Sequence, residues 1–305
     1  MFYPRDLILL RTVGEGSFGR VIKVWVKNAL GIQKHCALKM IRSEVLQDKD
    51  YVESLFNEIE IFRELNGEIF FPRLHSTFYA VNRLCILTDF CEGGEILSLI
   101  HRLNGFTSEQ IQFYGAEILL ALKCLHDRNI LYRDLKSENV LLTKDGHIRL
   151  VDFGLSVKTD REIRGRVGTT ECMAPEVVKE ELYGIGADLW SLGILLYEMY
   201  FKETPFADDT PDAIEYKILN SEINYDGMND HNLKDLIGGL LEKNQRKRLG
   251  FKNGVLEIMN HPFFNGVDWM NIKNMNTKAP INCEILSRGE NYPHYRESVF
   301  TLMHY

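Results

Sequence analysis

The residue pattern changes period at Gly93-Gly94, and no other feature of the chain restricts the fold as much. Ahead of that break, LILLRTVG, RVIKVWVK, HCALKMI, PRLHSTFYA and RLCILTDF read as strands, rich in β-branched and aromatic residues. One charged stretch among them, from about Asp50 to Glu64, carries Leu55, Ile59 and Phe62 at spacings of four and three, one face of a helix. Beyond the break the period becomes helical. Ser108 with Gln110 to His126 predicts a long amphipathic helix, with Phe113, Ile118, Leu122 and Leu125 on or near one side. Short strands at NVLLT and HIRLV flank Lys144-Asp145-Gly146, a turn suited to a hairpin. The run LYGIGADLWSLGILLYEMYF then predicts a helix of a buried core. Strand first and helix afterwards predict an α+β chain of two packed units.

Composition narrows the class. With 45% hydrophobic and 26% charged residues, the 305-residue chain can bury a sizeable core. The formal charge of -7 argues against nucleic acid as the main partner and suits a basic peptide better. Six cysteines show no paired metal-ligand spacing, which predicts buried thiols in a reducing compartment. The start MFYPRDLILLRT carries no secretory cleavage signal, and no run reaches the about 18 apolar residues of a bilayer span. A soluble cytoplasmic protein, with the nucleus also open to it, is the expectation. The last 25 residues, rich in Asn, Tyr and Pro, predict an extended tail.

Residues 14 to 21 read GEGSFGRV, with Gly14, Gly16 and Gly19 between two strand-like runs. Glycines there let backbone N–H groups approach phosphate oxygens. The same spacing can open a dinucleotide-binding unit, but there a helix follows; RVIKVWVK continues as strand, so a hairpin flap fits better. Lys39, at the end of CALKMI, would by itself read as a solvated edge residue. Glu58, nineteen residues on, lies in the candidate helix and could hold its ammonium, setting Lys39 over two phosphates.

The most specific signal is YRDLKSEN at 132 to 139, followed by DFG at 152 to 154. In that order Asp134 can accept a hydroxyl proton, Lys136 can neutralise a moving phosphoryl group, and Asn139 and Asp152 can bind metal. A lone Asp–Asn pair would read as a turn cap; loop, hairpin and DFG in sequence do not. Glu176 in APE and Arg248 in QRKRLG predict a buried ion pair. Asp188, in an apolar run, needs donors that the catalytic loop could supply.

These motifs together resemble the protein kinase superfamily, over about residues 7 to 278. YRDLK, CEGGEI at 91 to 96 and GTTECMAPE after DFG look most like the AGC group of serine/threonine kinases. The resemblance implies a bilobal protein kinase fold: a small five-stranded sheet lobe with one main helix, and a larger, mostly helical lobe. The expected boundaries are 1–90 for the N-lobe, 91–279 for the C-lobe and 280–305 for the tail. It implies ATP and Mg2+ as cofactors and protein or peptide substrates as partners, with a regulatory protein as a further expectation. It also implies nucleotide contacts from the flap (Gly14, Gly16, Ser17, Phe18, Gly19), Lys39, Glu95, Glu138, Asn139 and Asp152. Asp89 and Cys91 would offer backbone groups to adenine, Val13, Val21, Ala37 and Leu141 would sandwich it, and Thr88 would stand as gatekeeper. Phe62, Leu74, Tyr132 and Phe153 match the stacked residues of the active state. Glu95, Glu138 and Glu198 match acidic positions that bind arginines ahead of the target residue.

Four departures from the pattern stand out. Ser137 and Thr170 replace prolines. Gly165, thirteen residues beyond Asp152, occupies the position of the activating phosphothreonine that Arg133 would pair with. Ordering of that segment by Glu162, by a phosphate on Thr159 or by a partner is the expectation. Tyr292 and Tyr295 keep the spacing of the aromatic tail motif, and FTLM is a faint echo of the docking motif. A pseudokinase is disfavoured because Lys39, Glu58, Asp134, Lys136, Asn139 and Asp152 are all present. The APE segment argues against a small-molecule phosphotransferase, and Lys136, two residues after Asp134, argues against tyrosine specificity.

Overall fold

The computed structural model describes residues 7–16, 19–27, 33–80, 82–281, 283, 297 and 298. Ser17, Phe18, Tyr292, Tyr295 and FTLM lie outside the described residues. Those described fall into two compact units, one within Met1–Glu92 and Glu284–Tyr305, the other within Gly93–Cys283.

The first unit is an antiparallel sheet of β1 (Leu7–Gly16), β2 (Gly19–Lys27), β3 (Gln33–Ile41), β4 (Leu74–Ala80) and β5 (Arg83–Asp89), with α1 (Lys49–Glu64) between β3 and β4. The strand order is β1-β2-β3-β5-β4, and a sixth, two-residue strand, Glu297–Ser298, pairs along the outer edge of β1. Side chains alternate between faces. One face buries Ile22, Val24, Val26, Cys36, Leu38, Met40, Cys85 and Leu87 in a core. The register places Val21 opposite Lys39 and Ala37 opposite Thr88, so these four share the other face. Asp48 caps α1, accepting from the Asp50 and Tyr51 N–H groups, and the helix buries Leu55, Glu58, Ile59, Ile61 and Phe62. A carboxylate within that apolar stripe needs a cation.

The second unit is mostly helical. It opens with β6 (Gly94–Glu95), α2 (Ile96–Arg102) and α3 (Ser108–His126). A capping box between Thr107 and Gln110 starts α3. Sequence periodicity gave α3 one apolar side, whereas every residue from Phe113 to Leu122 is buried. The polar exception, Glu117, is satisfied by His147 at 2.6 Å and the Ile148 N–H at 2.9 Å. Short strands β7 (Ile130–Leu131), β8 (Val140–Leu142), β9 (Ile148–Leu150) and β10 (Val157–Lys158) follow, β8 and β9 as the expected hairpin. After α4 (Pro175–Val178), α5 (Gly186–Phe201) crosses the core, and α6 (Pro211–Asn220), α7 (His231–Leu240), α8 (Val255–Met259) and α9 (Trp269–Lys273) complete the unit. The apolar run starting at Leu182 is therefore helical only from Gly186. Tyr183 instead exchanges two backbone hydrogen bonds with Ile163, each 2.9 Å, which removes it from the helix.

Candidate active site

Gly16 and Gly19 face each other across the β1–β2 turn, and Gly14 pairs with Val21, so the glycine stretch closes a strand hairpin. Val13 is 38% exposed at its rim. On the same sheet, Lys39 Nζ donates to both Glu58 carboxylate oxygens, at 2.7 and 2.9 Å. Glu58 is 3% exposed while the Lys39 side chain keeps 31%, so the glutamate holds the base of a cation whose outer side is open to solvent. Thr88 opposes Ala37, and Cys91 is buried. Asp89 opposes Cys36 in the ladder. Burial by itself would raise the Asp89 carboxyl, but hydrogen bonds from His75 (2.7 Å) and Lys34 (2.9 Å) reverse this and hold it well below the usual carboxylate range. That carboxylate ties three elements together at the end of β5.

The catalytic-loop motif lies in the second unit. Arg133 has a φ of +66°, a region unfavourable for a side-chain-bearing residue. Asp188 of α5 offsets the cost: its carboxylate accepts from the Tyr132 N–H (3.0 Å), the Arg133 N–H (2.8 Å) and His126 Nε2 (2.8 Å). The expectation that this buried acid fastens the loop is met. The loop then presents Asp134, whose Oδ2 receives Lys136 Nζ and Asn139 Nδ2, both at 2.9 Å. Asn139 Nδ2 also donates to the Asp134 carbonyl at 2.9 Å, so both its N–H bonds are spent and its oxygen is left as an acceptor. Burial would lower the Lys136 ammonium, but the Asp134 carboxylate outweighs it and the pKa rises, keeping the group charged.

Thr169 joins this network, and motif reading did not assign it a role. Its hydroxyl donates to Asp134 Oδ1 at 2.8 Å and accepts from Lys136 Nζ at 2.8 Å. Gly168 makes that approach feasible: a β-carbon there would stand 2.6 Å from the Arg133 carbonyl oxygen, and its φ is +119°. The run Gly168-Thr169 was the available signal, a glycine followed by a hydroxyl in the segment leading to APE.

Asp152, at the exposed end of the same loop system, has a φ of +60° and accepts the Gly154 N–H through Oδ1 at 3.1 Å. Phe153 beside it is fully buried against Tyr132, ring centroids 5.7 Å apart. Phe62 and Leu74, the other two members of the expected stack, are buried within the first unit. Leu141, in β8, is half-buried beside Glu95 in the ladder.

The three glutamates expected to meet arginine interact electrostatically. Burial and then the neighbouring Glu138 charge raise the Glu95 carboxyl. Glu198 is pushed up to about 7, by burial first and further by Glu138 and Glu171, although the Ser137 hydroxyl donates to it at 3.0 Å and opposes the rise. The serine standing where a proline was expected thus supplies a donor. In the same unit, Arg248 and Glu176 form a buried bidentate pair at 2.5 and 2.8 Å, as their motifs predicted.

A strand-rich lobe with a lysine–glutamate clamp and a helical lobe with this loop define a protein kinase. A family model of the protein kinase domain matches residues 7–264. The chain is 38% identical over 281 residues to the "Probable cAMP-dependent protein kinase catalytic subunit" of Encephalitozoon cuniculi, covering 92% of this chain and 86% of that one. It is 38% identical over 298 residues to the human cAMP-dependent protein kinase catalytic subunit PRKX, covering 96% and 82%. Against RAC-beta serine/threonine-protein kinase A of Xenopus laevis it is 35% identical over 286 residues, 92% of this chain, and spans 58% of that relative. The chain belongs to the eukaryotic protein kinase family, as an AGC-like serine/threonine protein kinase.

Proposed function

We propose that this chain transfers the γ-phosphoryl group of ATP to serine or threonine hydroxyls of protein substrates, with Asp134 orienting the hydroxyl and accepting its proton. The observation carrying this reading is the set of contacts on the Asp134 carboxylate. Lys136, Asn139 and Thr169 each hold it at 2.8–2.9 Å, which fixes its direction without burying it completely. Lys136 sits where it can meet charge on the transferred group, and Lys39, steadied by Glu58, is the cation for the remaining phosphates.

Magnesium fits the donor set. Asn139 offers an amide oxygen and Asp152 a carboxylate with one N–H contact, both hard oxygen ligands. Among the described residues no group of three or more His, Cys, Asp or Glu is placed to hold a metal; a magnesium ion that travels with ATP needs only one or two protein carboxylates. Bound at these residues, it would supply positive charge to the phosphate oxygens. Gly14, Gly16, Gly19, Val13, Val21, Ala37, Thr88, Asp89, Cys91 and Leu141 are assigned to nucleotide binding, and Ser17 and Phe18 to the same flap.

Glu95, Glu138 and Glu198 favour peptides with arginine ahead of the target residue, because a guanidinium supplies the counter-charge that offsets burial first and then the mutual repulsion, which together raise Glu95 and Glu198. Among the described residues no helix is long and apolar enough to cross a membrane, and all six cysteines are free; a cytoplasmic or nuclear enzyme is the reading that goes with these substrates. An arrayed peptide assay with Mg-ATP tests the proposal against Asp152→Ala. Turnover of arginine-containing serine and threonine peptides, lost in the variant, is expected. Preference for acidic peptides would remove the glutamates' role, and undiminished turnover by the variant would remove the metal assignment.

A further inference from the structure

The segment from Val157 to Gly168 contains one hydroxyl, that of Thr159, and it is already engaged. Thr159 Oγ1 donates to the Arg161 carbonyl at 3.0 Å and accepts the Arg161 N–H at 3.2 Å. Residue 165 has no side chain to modify, and its φ of +131° disfavours any residue with a β-carbon. Arg133 is occupied elsewhere: its Nε donates to the Leu155 carbonyl at 2.6 Å and its terminal nitrogen reaches the Tyr183 hydroxyl at 3.4 Å. Glu162 is exposed, and among the described residues it makes no hydrogen bond or ion pair.

The start of the segment is held by the β7–β10 pairing and by the Thr159 N–H bond to the Asn129 carbonyl at 2.8 Å, and beyond Thr159, among the described residues, two other contacts hold it. Ile163 exchanges backbone hydrogen bonds with Tyr183, which is 1% exposed. Arg166 forms an ion pair with Glu215 of α6, whose side chain is 17% exposed. Two residues beyond Arg166, Gly168 lies against the Arg133 carbonyl, and Thr169 follows with its hydroxyl on Asp134. The distance along the chain from the ion pair to the proposed proton acceptor's partner is thus three residues. A shift at Arg166 has little backbone in which to dissipate.

We infer that the Arg166–Glu215 ion pair and the Ile163–Tyr183 bridge position the segment for phosphoryl transfer in its unphosphorylated form, making Arg166 and Glu215 positioning residues of the reaction. This rests on the kinase chemistry proposed above. Because Arg166 is partly solvated, the pair is worth up to a factor of about five in the segment's equilibrium. Charge reversal adds repulsion to that loss.

The test uses the whole chain, treated with a protein phosphatase and shown by mass spectrometry to carry no phosphate between residues 152 and 171. Its kcat on an arginine-containing serine peptide is expected within twofold of the untreated protein. Glu215→Gln lowers kcat/KM about three- to fivefold, Glu215→Arg lowers it more, and Arg166→Glu with Glu215→Arg together return it to within twofold of the parent. Melting temperatures of all variants are measured alongside, since a purely structural pair would lower Tm without the kinetic rescue by the exchanged pair. Turnover only by the phosphorylated protein overturns this inference and leaves the kinase chemistry standing, as does an exchanged pair no better than either single reversal. No turnover by either form overturns both.

Discussion

At residue scale, two side chains carry most of what can be checked. Thr169 contacts both Asp134 and Lys136, so Thr169→Val, nearly isosteric, strips one donor and one acceptor from the network at little cost in packing. A fall in kcat of about tenfold is expected, from losing a hydrogen bond to a charged group of about 1.5–3 kcal/mol in part compensated by water; steady-state kinetics with KM for ATP unchanged would bear it out. Glu198 gives a pH signature. Its carboxyl is raised from 4.5 to about 7, so between those values the folded protein holds a proton that the unfolded chain has released. That contribution favours folding at low pH and is lost as pH rises through 7. Arginine does not titrate in this range, so substrate binding follows the carboxylate. KM for an arginine-containing peptide is expected to fall about tenfold from pH 6 to 8, and Glu198→Gln to flatten that dependence. A KM that rises over the interval would contradict the assignment.

Among the elements, the buried Glu176–Arg248 pair joins α4 to the loop after α7, with Arg248 also donating to the Gly186 and Glu242 carbonyls. Removing one partner leaves an uncompensated buried charge. Glu176→Gln is expected to destabilise by about 3–5 kcal/mol, and Glu176→Gln with Arg248→Met by less, read from urea unfolding. This pair was legible in sequence from the two motifs, Glu176 in APE and Arg248 in QRKRLG, rather than from the neighbours of either charge. So was Asp188, whose isolation in an apolar run demanded donors. The all-round burial of α3 and the start of α5 were less so. Periodicity marks one apolar face, and cannot show that α3 is enclosed by neighbours on every side. Nor can it show that Tyr183 leaves the helical run to bond with Ile163, a partner twenty residues away. Thr169 escaped notice for a related reason: a hydroxyl acquires its role only from what folds against it, here Asp134 and Lys136. Gly165 marked the unusual segment in sequence, but the Arg166–Glu215 contact that answers it joins elements forty-nine residues apart.

For the whole molecule, the proposed chemistry is divided between the two units: the Lys39–Glu58 clamp belongs to the first and the Asp134 network to the second. Each unit reaches its arrangement through its own core, the sheet face under β2 and β3 in one and the helices around α5 in the other. The sharpest test is the single-turnover rate of phosphoryl transfer from ATP to a serine peptide, compared between the parent and Asp134→Asn, with ATP affinity measured separately. A rate lowered about 10²–10⁴-fold, with ATP affinity altered less than about threefold, is what a residue that orients the hydroxyl and takes its proton predicts. A transfer rate within twofold of the parent would place the chemistry elsewhere and contradict the central assignment.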